Sequence, residues 1–109
     1  MGITITHHDQ ASRFEASVDG VAAGYLEYRL RGATMAILHT IVDPAFGRKG
    51  VGSALVAYTL DWASGQDLGV LPYCSFAATY IRRHPEYLGN VPADRRVDFG
   101  LPASTDTGS

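Results

Sequence analysis

The segment formed by residues 47–56 has the composition of a phosphate-binding loop. Its sequence, "GRKGVGSALV", places three glycines and two cations immediately before an apolar helical pattern. The free N–H groups at a helix N-terminus attract anions, and glycines let an anion come close to the backbone. Because Arg48 and Lys49 add positive charge, the segment predicts a site for a phosphate group.

Two common phosphate loops do not fit this segment. A P-loop continues with Lys and then Ser or Thr after its last glycine, whereas Ser53 and Ala54 follow Gly52. A dinucleotide fingerprint needs a third glycine where Leu55 stands. A third interpretation fits: Gly50 and Gly52 let backbone amides converge on an anion, such as a pyrophosphate, at the N-terminus of the helix. The alternative, that the glycines only relieve a tight strand-to-helix bend, stays open at this stage.

Cys74 and His39 are the other residues whose side chains could take part in catalysis. Cys74 is the one cysteine of the chain, so neither an intramolecular disulfide nor a zinc site built on a CxxC unit can form. It precedes a predicted helix, whose N-terminus stabilises anions. His39 lies within an apolar strand. A buried core thiol and a buried core histidine are the alternatives.

The elements that position these residues begin with strands. In residues 13–18, apolar Phe14, Ala16 and Val18 alternate with other residues, which is the period of a half-buried strand. Asp-Gly and Arg-Gly pairs mark tight turns before and after residues 22–30. Residues 34–42 are nearly all apolar and predict a central strand. The three strands form an antiparallel meander.

The periodicity then becomes helical. Val51, Leu55, Tyr58 and Trp62 fall on one face of a helix predicted over residues 50–64. Tyr58 and Trp62 are predicted to be core residues. Residues 69–74 form a short strand that Pro72 limits, and a second helix runs from residue 75 to the His-Pro pair at 84–85. The order β-β-β-α-β-α predicts an α+β fold, in which one parallel strand extends the antiparallel meander and two main helices flank it.

The composition narrows the class of protein. The chain has 109 residues and a net charge of −2, which fits one domain and argues against a nucleic-acid partner. We expect a single domain over residues 1–97 and a disordered tail over 98–109. The sequence shows neither a signal peptide nor an apolar run of about 20 residues, so no membrane partner and a cytoplasmic location are expected. His7 and His8 lack a third ligand, and no metal site is expected.

Three segments together resemble one known family. The glycine loop after a meander, "LHTIVDP" and "LPYCSFAATYIRRHPEY" are similar to the GCN5-related N-acetyltransferase (GNAT) superfamily over about residues 13–87. Within it they resemble the small single-domain branch, the YjdJ-type or N-acetyltransferase domain-containing protein 1-like group. The resemblance implies a minimal GNAT fold. It also implies an acetyl-coenzyme A-dependent N-acetyltransferase whose acceptor is a primary amine, with protein and peptide amines among the candidates.

The resemblance also implies the site residues. The cofactor-binding residues that it implies are Thr40, Ile41, Val42, Arg48, Lys49, Gly50, Val51, Gly52 and Ser53. The backbone around Thr40 would pair with the pantetheine arm like an added strand. The family's loop has Gln or Arg where Gly47 stands, a departure that we expect to weaken coenzyme binding. The family's tyrosine acid falls on Ile81.

The catalytic residues expected are Cys74 and His39, and two routes stay open. In one, the amine attacks acetyl-coenzyme A directly, and a base chosen from His39, Glu27 and Glu86 removes its proton. In the other, Cys74 carries the acetyl group covalently. Two further alternatives are a non-catalytic coenzyme A-binding module and a cysteine hydrolase that uses Cys74 and His39. A monomer or weak homodimer is expected.

Overall fold

The computed structural model describes residues 2–103, which form one mixed sheet and two main helices. The strands are β1 (Ile3–His8), β2 (Arg13–Val18), β3 (Val21–Arg31), β4 (Thr34–Val42) and β5 (Gly69–Pro72). The helices are α1 (Val51–Gly65) and α2 (Ser75–Arg83). Short 3-10 turns cover Asp9–Ala11, Pro44–Phe46, Pro85–Asn90 and Ala93–Phe99.

The sheet has the strand order β1-β2-β3-β4-β5. The first four strands pair antiparallel, and β5 pairs parallel to β4, from Thr34 opposite Gly69 to Ile37 opposite Pro72. The predicted α+β fold, with a meander and one parallel strand, is confirmed. Strand β1 was not among the predicted strands, although Ile3 and Ile5 alternate with threonines in "ITITHH". That alternation is the signal that could have predicted it.

Helices α1 and α2 pack together on one face of the sheet around a single apolar core. Its fully buried large side chains include Phe14, Leu26, Met35, Ile37, Leu55, Leu60 and Ile81. The buried face of α1 is rotated from the predicted one, because Val56, Thr59 and Leu60 are buried whereas Tyr58 is 45% exposed. The prediction that Tyr58 is a core residue is therefore wrong, and Trp62 packs only in part.

The opposite face of the sheet carries mainly polar side chains and is called the open face here. It is formed by Arg13, Glu15, Tyr25, Glu27, Arg29 and His39. These residues alternate with buried ones such as Phe14 and Leu26, so the pleat alone directs them away from the helices. The open face and the helix face therefore differ in chemistry.

The C-terminal segment packs on the domain. Arg96 is buried, and its guanidinium donates a hydrogen bond to the Val91 carbonyl at 2.9 Å. Leu101 is also buried, and its N–H donates to the Arg96 carbonyl at 3.0 Å. The boundary predicted at residue 97 thus falls within the Ala93–Phe99 turn, and residues 104–109 of the predicted tail lie outside the described residues. No helix of the described chain has the length and apolarity to cross a membrane.

Candidate functional site

Strand β4 contains a bulge that decides which side chains reach the site. Glu27 is paired with His39 and the next residue, Tyr28, with Ile37, so Leu38 is an extra residue in β4. A bulge of this kind shifts the alternation of side chains by one position. Beyond it, Thr40 is paired with buried Leu26. Thr40 therefore faces the helices, whereas His39 lies on the open face.

The pairing of β4 with β5 stops at the same point. Ile37 and Pro72 form the last pair, and the Cys74 N–H then donates to the Ile37 carbonyl at 3.0 Å. Helix α2 begins at the next residue, so residues 38–42 of β4 have no partner in β5. The edge that they present is an unpaired strand edge, which an extended ligand can join by main-chain hydrogen bonds.

Cys74 and Thr40 are brought together at this divergence, but Cys74 and His39 are not. The half-buried Cys74 Sγ donates to the Thr40 Oγ1 at 3.5 Å on the helix side. His39 stands on the open face beside Glu27. The two residues predicted to be catalytic thus lie on opposite faces of β4. No local sequence pattern indicates this separation, because the bulge that causes it is set by pairing with β3.

The glycine loop opens α1 in the way the sequence predicts. Gly50 precedes the helix with φ of 77°, a left-handed conformation that favours glycine. The first bond of the helix runs from the Ala54 N–H to the Gly50 carbonyl at 3.0 Å. The N–H groups of residues 51–53 precede this ladder and can bind an anion. Arg48 and Lys49 are exposed beside them, and Gly47 has an ordinary helical φ of −64°.

A family model described as "GCN5-related N-acetyl-transferase" matches residues 13–91. The chain belongs to this family. A comparison with curated proteins finds no match. The assignment fits the geometry, since the chain combines a β4 strand that diverges from β5 with free amides at the start of the following helix, α1.

Solved structures support the GNAT fold. A GCN5-like protein from Staphylococcus aureus matches with a TM-score of 0.65 and 23% identity over 82% of this chain and 87% of its own. Ard1 from Thermoplasma volcanium matches with a TM-score of 0.53 and 30% identity, over 70% of this chain and 53% of its own. A third structure is N-acetylglutamate synthase from Neisseria gonorrhoeae, solved with coenzyme A and N-acetyl-glutamate. It matches with a TM-score of 0.53 and 17% identity, over 88% of this chain and 26% of its own. The chain therefore spans most of the first protein, about half of the second and a quarter of the third.

In this GNAT chain, Phe76 of α2 covers Gly52. A Cβ atom at Gly52 would lie 2.8 Å from the Phe76 Cζ, so only glycine lets the ring rest there. Behind the ring, a cavity of about 140 Å³ separates the start of α1 from α2. Its lining residues are Ser53, Phe76, Thr79, Tyr80, Arg83 and His84. The glycine loop and α2 are thus in direct contact at Gly52 and Phe76.

The position of the family's tyrosine acid carries no acid in this chain. Ile81, on which that tyrosine falls in the sequence, is fully buried in the core. Its neighbour Tyr80 lines the small cavity and stacks on His84 with ring centroids 4.1 Å apart. Burial, followed by the charges of Glu86 and Asp61, raises the pKa of Tyr80. The shift keeps the Tyr80 hydroxyl protonated to a higher pH than usual.

On the open face, Arg13 organises the residues next to His39. Its guanidinium donates to the Glu27 carboxylate at 3.2 Å, lies 3.6 Å from Glu15, and sits 4.0 Å from the ring centre of Tyr25. The hydrogen bond to Glu27 is the main reason that the pKa of Arg13 is raised. Glu27 is thereby held beside His39.

Glu86, the third base candidate, lies in the Pro85–Asn90 turn against the helices.

Proposed function

We propose that the chain is an acetyl-coenzyme A-dependent N-acetyltransferase that acts on a primary amine. The observation that carries the proposal is the combination of an unpaired β4 edge, residues 38–42, with free amides at the start of α1, the next helix along the chain. The pantetheine arm would pair with the backbone of Thr40, Ile41 and Val42. The pyrophosphate would bind residues 48–53. The coenzyme A complex of the Neisseria gonorrhoeae relative supports this choice of cofactor.

The bulge favours direct transfer over a covalent Cys74 intermediate. The amine nitrogen attacks the thioester carbonyl carbon, a C–N bond forms, the C–S bond breaks, and coenzyme A leaves as a thiolate. Lysine-type ammonium groups have a pKa of about 10.4, so a base must remove a proton. His39 is assigned this role, since it lies beside Glu27 on the face that solvent reaches. Cys74 and Thr40 line the thioester from the other face, where a donor to the leaving thiolate is needed.

The finer assignment is to the small single-domain branch of YjdJ-type proteins. The two segments that carry that resemblance, around His39 and around Cys74, meet at the divergence of β4 from β5. The same geometry leaves the open face accessible, which admits a protein or peptide amine as well as a small one. A cytoplasmic location and a monomeric or weakly dimeric state complete the proposal.

A non-catalytic coenzyme A-binding module is the second candidate, and the buried Ile81 favours it. Thermal unfolding with coenzyme A, ATP and NAD tests the cofactor first. A ligand at 100 times its Kd raises the free energy of unfolding by about 2.7 kcal/mol, and we expect this with coenzyme A alone. Thiol release from acetyl-coenzyme A with a panel of amines then tests catalysis. Stabilisation without any thiol release would favour the module, and stabilisation by ATP or NAD instead would contradict both candidates.

A further inference from the structure

A cavity of about 230 Å³ lies on the open face over β3, β4 and the end of β5. We call it the arginine groove. It is lined by Arg29, Arg31, Thr34, Ala36, Leu38, Leu71 and Tyr73. Alanine and leucine side chains form its floor, and the two arginines form one rim. The groove is therefore apolar at its base and cationic at its edge.

One end of the groove meets the proposed reaction site. Leu38 is the extra residue of the β4 bulge and directly precedes His39, while Tyr73 directly precedes Cys74. Tyr73 is held in place, because the Arg95 guanidinium donates to its hydroxyl at 3.2 Å and the Phe99 ring packs against it at 5.1 Å. A molecule in the groove would thus approach, on the open face, the point where β4 and β5 separate.

The charge on the rim is not balanced by the protein. Within residues 2–103, neither Arg29 nor Arg31 forms a salt bridge, and none of the groove's lining residues is acidic, although the chain has 11 Asp and Glu residues. The two arginines stand two positions apart on one face of β3, with Cα atoms about 7 Å apart. Like charges so placed repel each other, and a carboxylate or phosphate bound between them removes that repulsion.

The charge reverses toward the reaction site. Glu27 is the preceding residue on the same face of β3, about 7 Å from Arg29 by strand geometry. It stands beside His39 in the sheet. Arg13 bonds to Glu27 but is shared with Glu15, so two carboxylates face one guanidinium here and the excess negative charge attracts an ammonium group. The arginines of the groove attract an anion at the other end. The open face therefore presents a negative and a positive position in line along one strand.

We propose that the acceptor is a primary amine that carries a carboxylate or phosphate several bonds from its nitrogen. Its nitrogen lies at His39 and Glu27, its chain crosses the apolar floor, and Arg29 and Arg31 bind its anionic group. The inference rests on the proposed function. In the reaction, the ammonium loses two protons as the C–N bond forms and the C–S bond breaks. One proton is released to solvent through His39, and one ends on the thiol of coenzyme A.

The test compares four amines of equal chain length: an ω-amino carboxylate, an aminoalkyl phosphate, a diamine, and an alkylamine without a second charged group, which is called the neutral amine here. Transfer is measured as kcat/KM, and binding to the coenzyme A-bound chain is measured separately by calorimetry. The variants are Arg29→Gln with Arg31→Gln, and Arg82→Gln as a matched loss of one exposed arginine from α2. Thermal stabilisation by coenzyme A reports whether each variant is folded.

We expect the anionic amines to exceed the neutral amine at least tenfold in kcat/KM and in affinity. The double variant is expected to abolish that advantage, whereas Arg82→Gln leaves it unchanged. The relative ranks of carboxylate and phosphate identify the anion. Equal use of neutral and anionic amines would overturn the inference but not the proposed function. Arginine-dependent binding without transfer would overturn the proposed function, and with it the acceptor role of the bound amine, while showing that the groove binds the anion. Absence of any binding of anionic amines would overturn the inference.

Discussion

The Cys74 N–H donates to the carbonyl of Ile37 at 3.0 Å, and Ile37 is the last residue of β4 that pairs with β5. This one bond fixes where the two strands part. It also fixes the start of α2, since Cys74 directly precedes that helix. The thiol, the bulge and the helix start are therefore held as a unit, and any ligand between the strands meets them together.

Cys74→Ala is expected to retain transfer activity to within about tenfold. The backbone bond to Ile37 does not need the side chain, and the variant loses only the Sγ contact with Thr40, worth about 1 kcal/mol. Steady-state kcat with the best amine of a panel measures this, with Cys74→Ser as the variant that keeps a donor. A covalent route predicts the opposite, namely loss of turnover in Cys74→Ala while coenzyme A still stabilises the chain.

His39→Ala is expected to lower kcat by about 100-fold, which is typical of removing a general base. The side chain is exposed on the open face, so its loss leaves coenzyme A affinity and stability nearly unchanged. Arg13→Gln is the companion variant, because it releases Glu27 without removing the base. A kcat for His39→Ala equal to that of the unaltered chain would exclude His39 as the base.

Most of the fold could be predicted from local pattern, whereas the site could be predicted only in part. The alternation in β2 and β3 and the helical spacing in α1 are local signals, and they gave the correct elements. The bulge at Leu38 is not local, because it exists only through the register with Tyr28 and Glu27. For that reason the sequence placed Cys74 and His39 in one site, although the structure puts them on opposite faces of β4. Tyr58 was misassigned because helical spacing does not distinguish a core face from its border.

Gly52→Ala is expected to weaken coenzyme A binding about tenfold. The new Cβ meets the ring of Phe76, and it also stands where a phosphate must approach the amides. Phe76 is 44% exposed, so its ring can move, and the double variant Gly52→Ala with Phe76→Ala removes the steric clash. If access to the amides matters, the double variant stays weak in a calorimetric titration. Full recovery in the double variant would mean that the clash alone caused the loss. Gly47→Ala is the control, because its Cβ meets only an ordinary contact.

Stability is expected to fall as the pH drops below neutrality, in part through His7. This ring stacks on Phe14 at 4.2 Å and bonds to the Tyr28 hydroxyl, and its burial lowers its pKa from the ordinary 6.5, with Asp9 opposing the shift. The unfolded chain therefore takes up the proton first. The contribution of His7 is complete above the unfolded pKa and is lost as the pH falls through the folded one.

The variant His7→Gln cannot titrate but can still bond to Tyr28. Its free energy of unfolding should depend less steeply on pH between about pH 7 and pH 5 than that of the unaltered chain. Tyr28→Phe, which keeps the histidine, should retain the slope. Denaturant titrations at several pH values measure both. Identical slopes in His7→Gln and the unaltered chain would show that another group causes the pH dependence.

Gly24→Ala is expected to destabilise the chain by about 1–3 kcal/mol, the usual effect of forcing an extra methyl group into a packed site. The new Cβ would lie too close to the Ile41 carbonyl oxygen and 3.1 Å from the Val42 Cα, and these are backbone atoms that cannot rotate away. The strain falls on the stretch of β4 proposed to pair with the pantetheine arm. Coenzyme A affinity should therefore fall as well, even at temperatures where the variant is fully folded.

A second glycine, Gly65, provides the control for Gly24→Ala, because it tests the same substitution at a position without a backbone clash. Gly65 closes α1 with open space around its Cα, so Gly65→Ala should be neutral or stabilising by up to about 1 kcal/mol and should leave coenzyme A binding unchanged. Denaturant midpoints at constant m-value give the stability difference, and calorimetry below the unfolding transition gives the affinity. If Gly24→Ala lowered stability but bound coenzyme A as tightly as the unaltered chain, the end of β4 would not take part in holding the coenzyme.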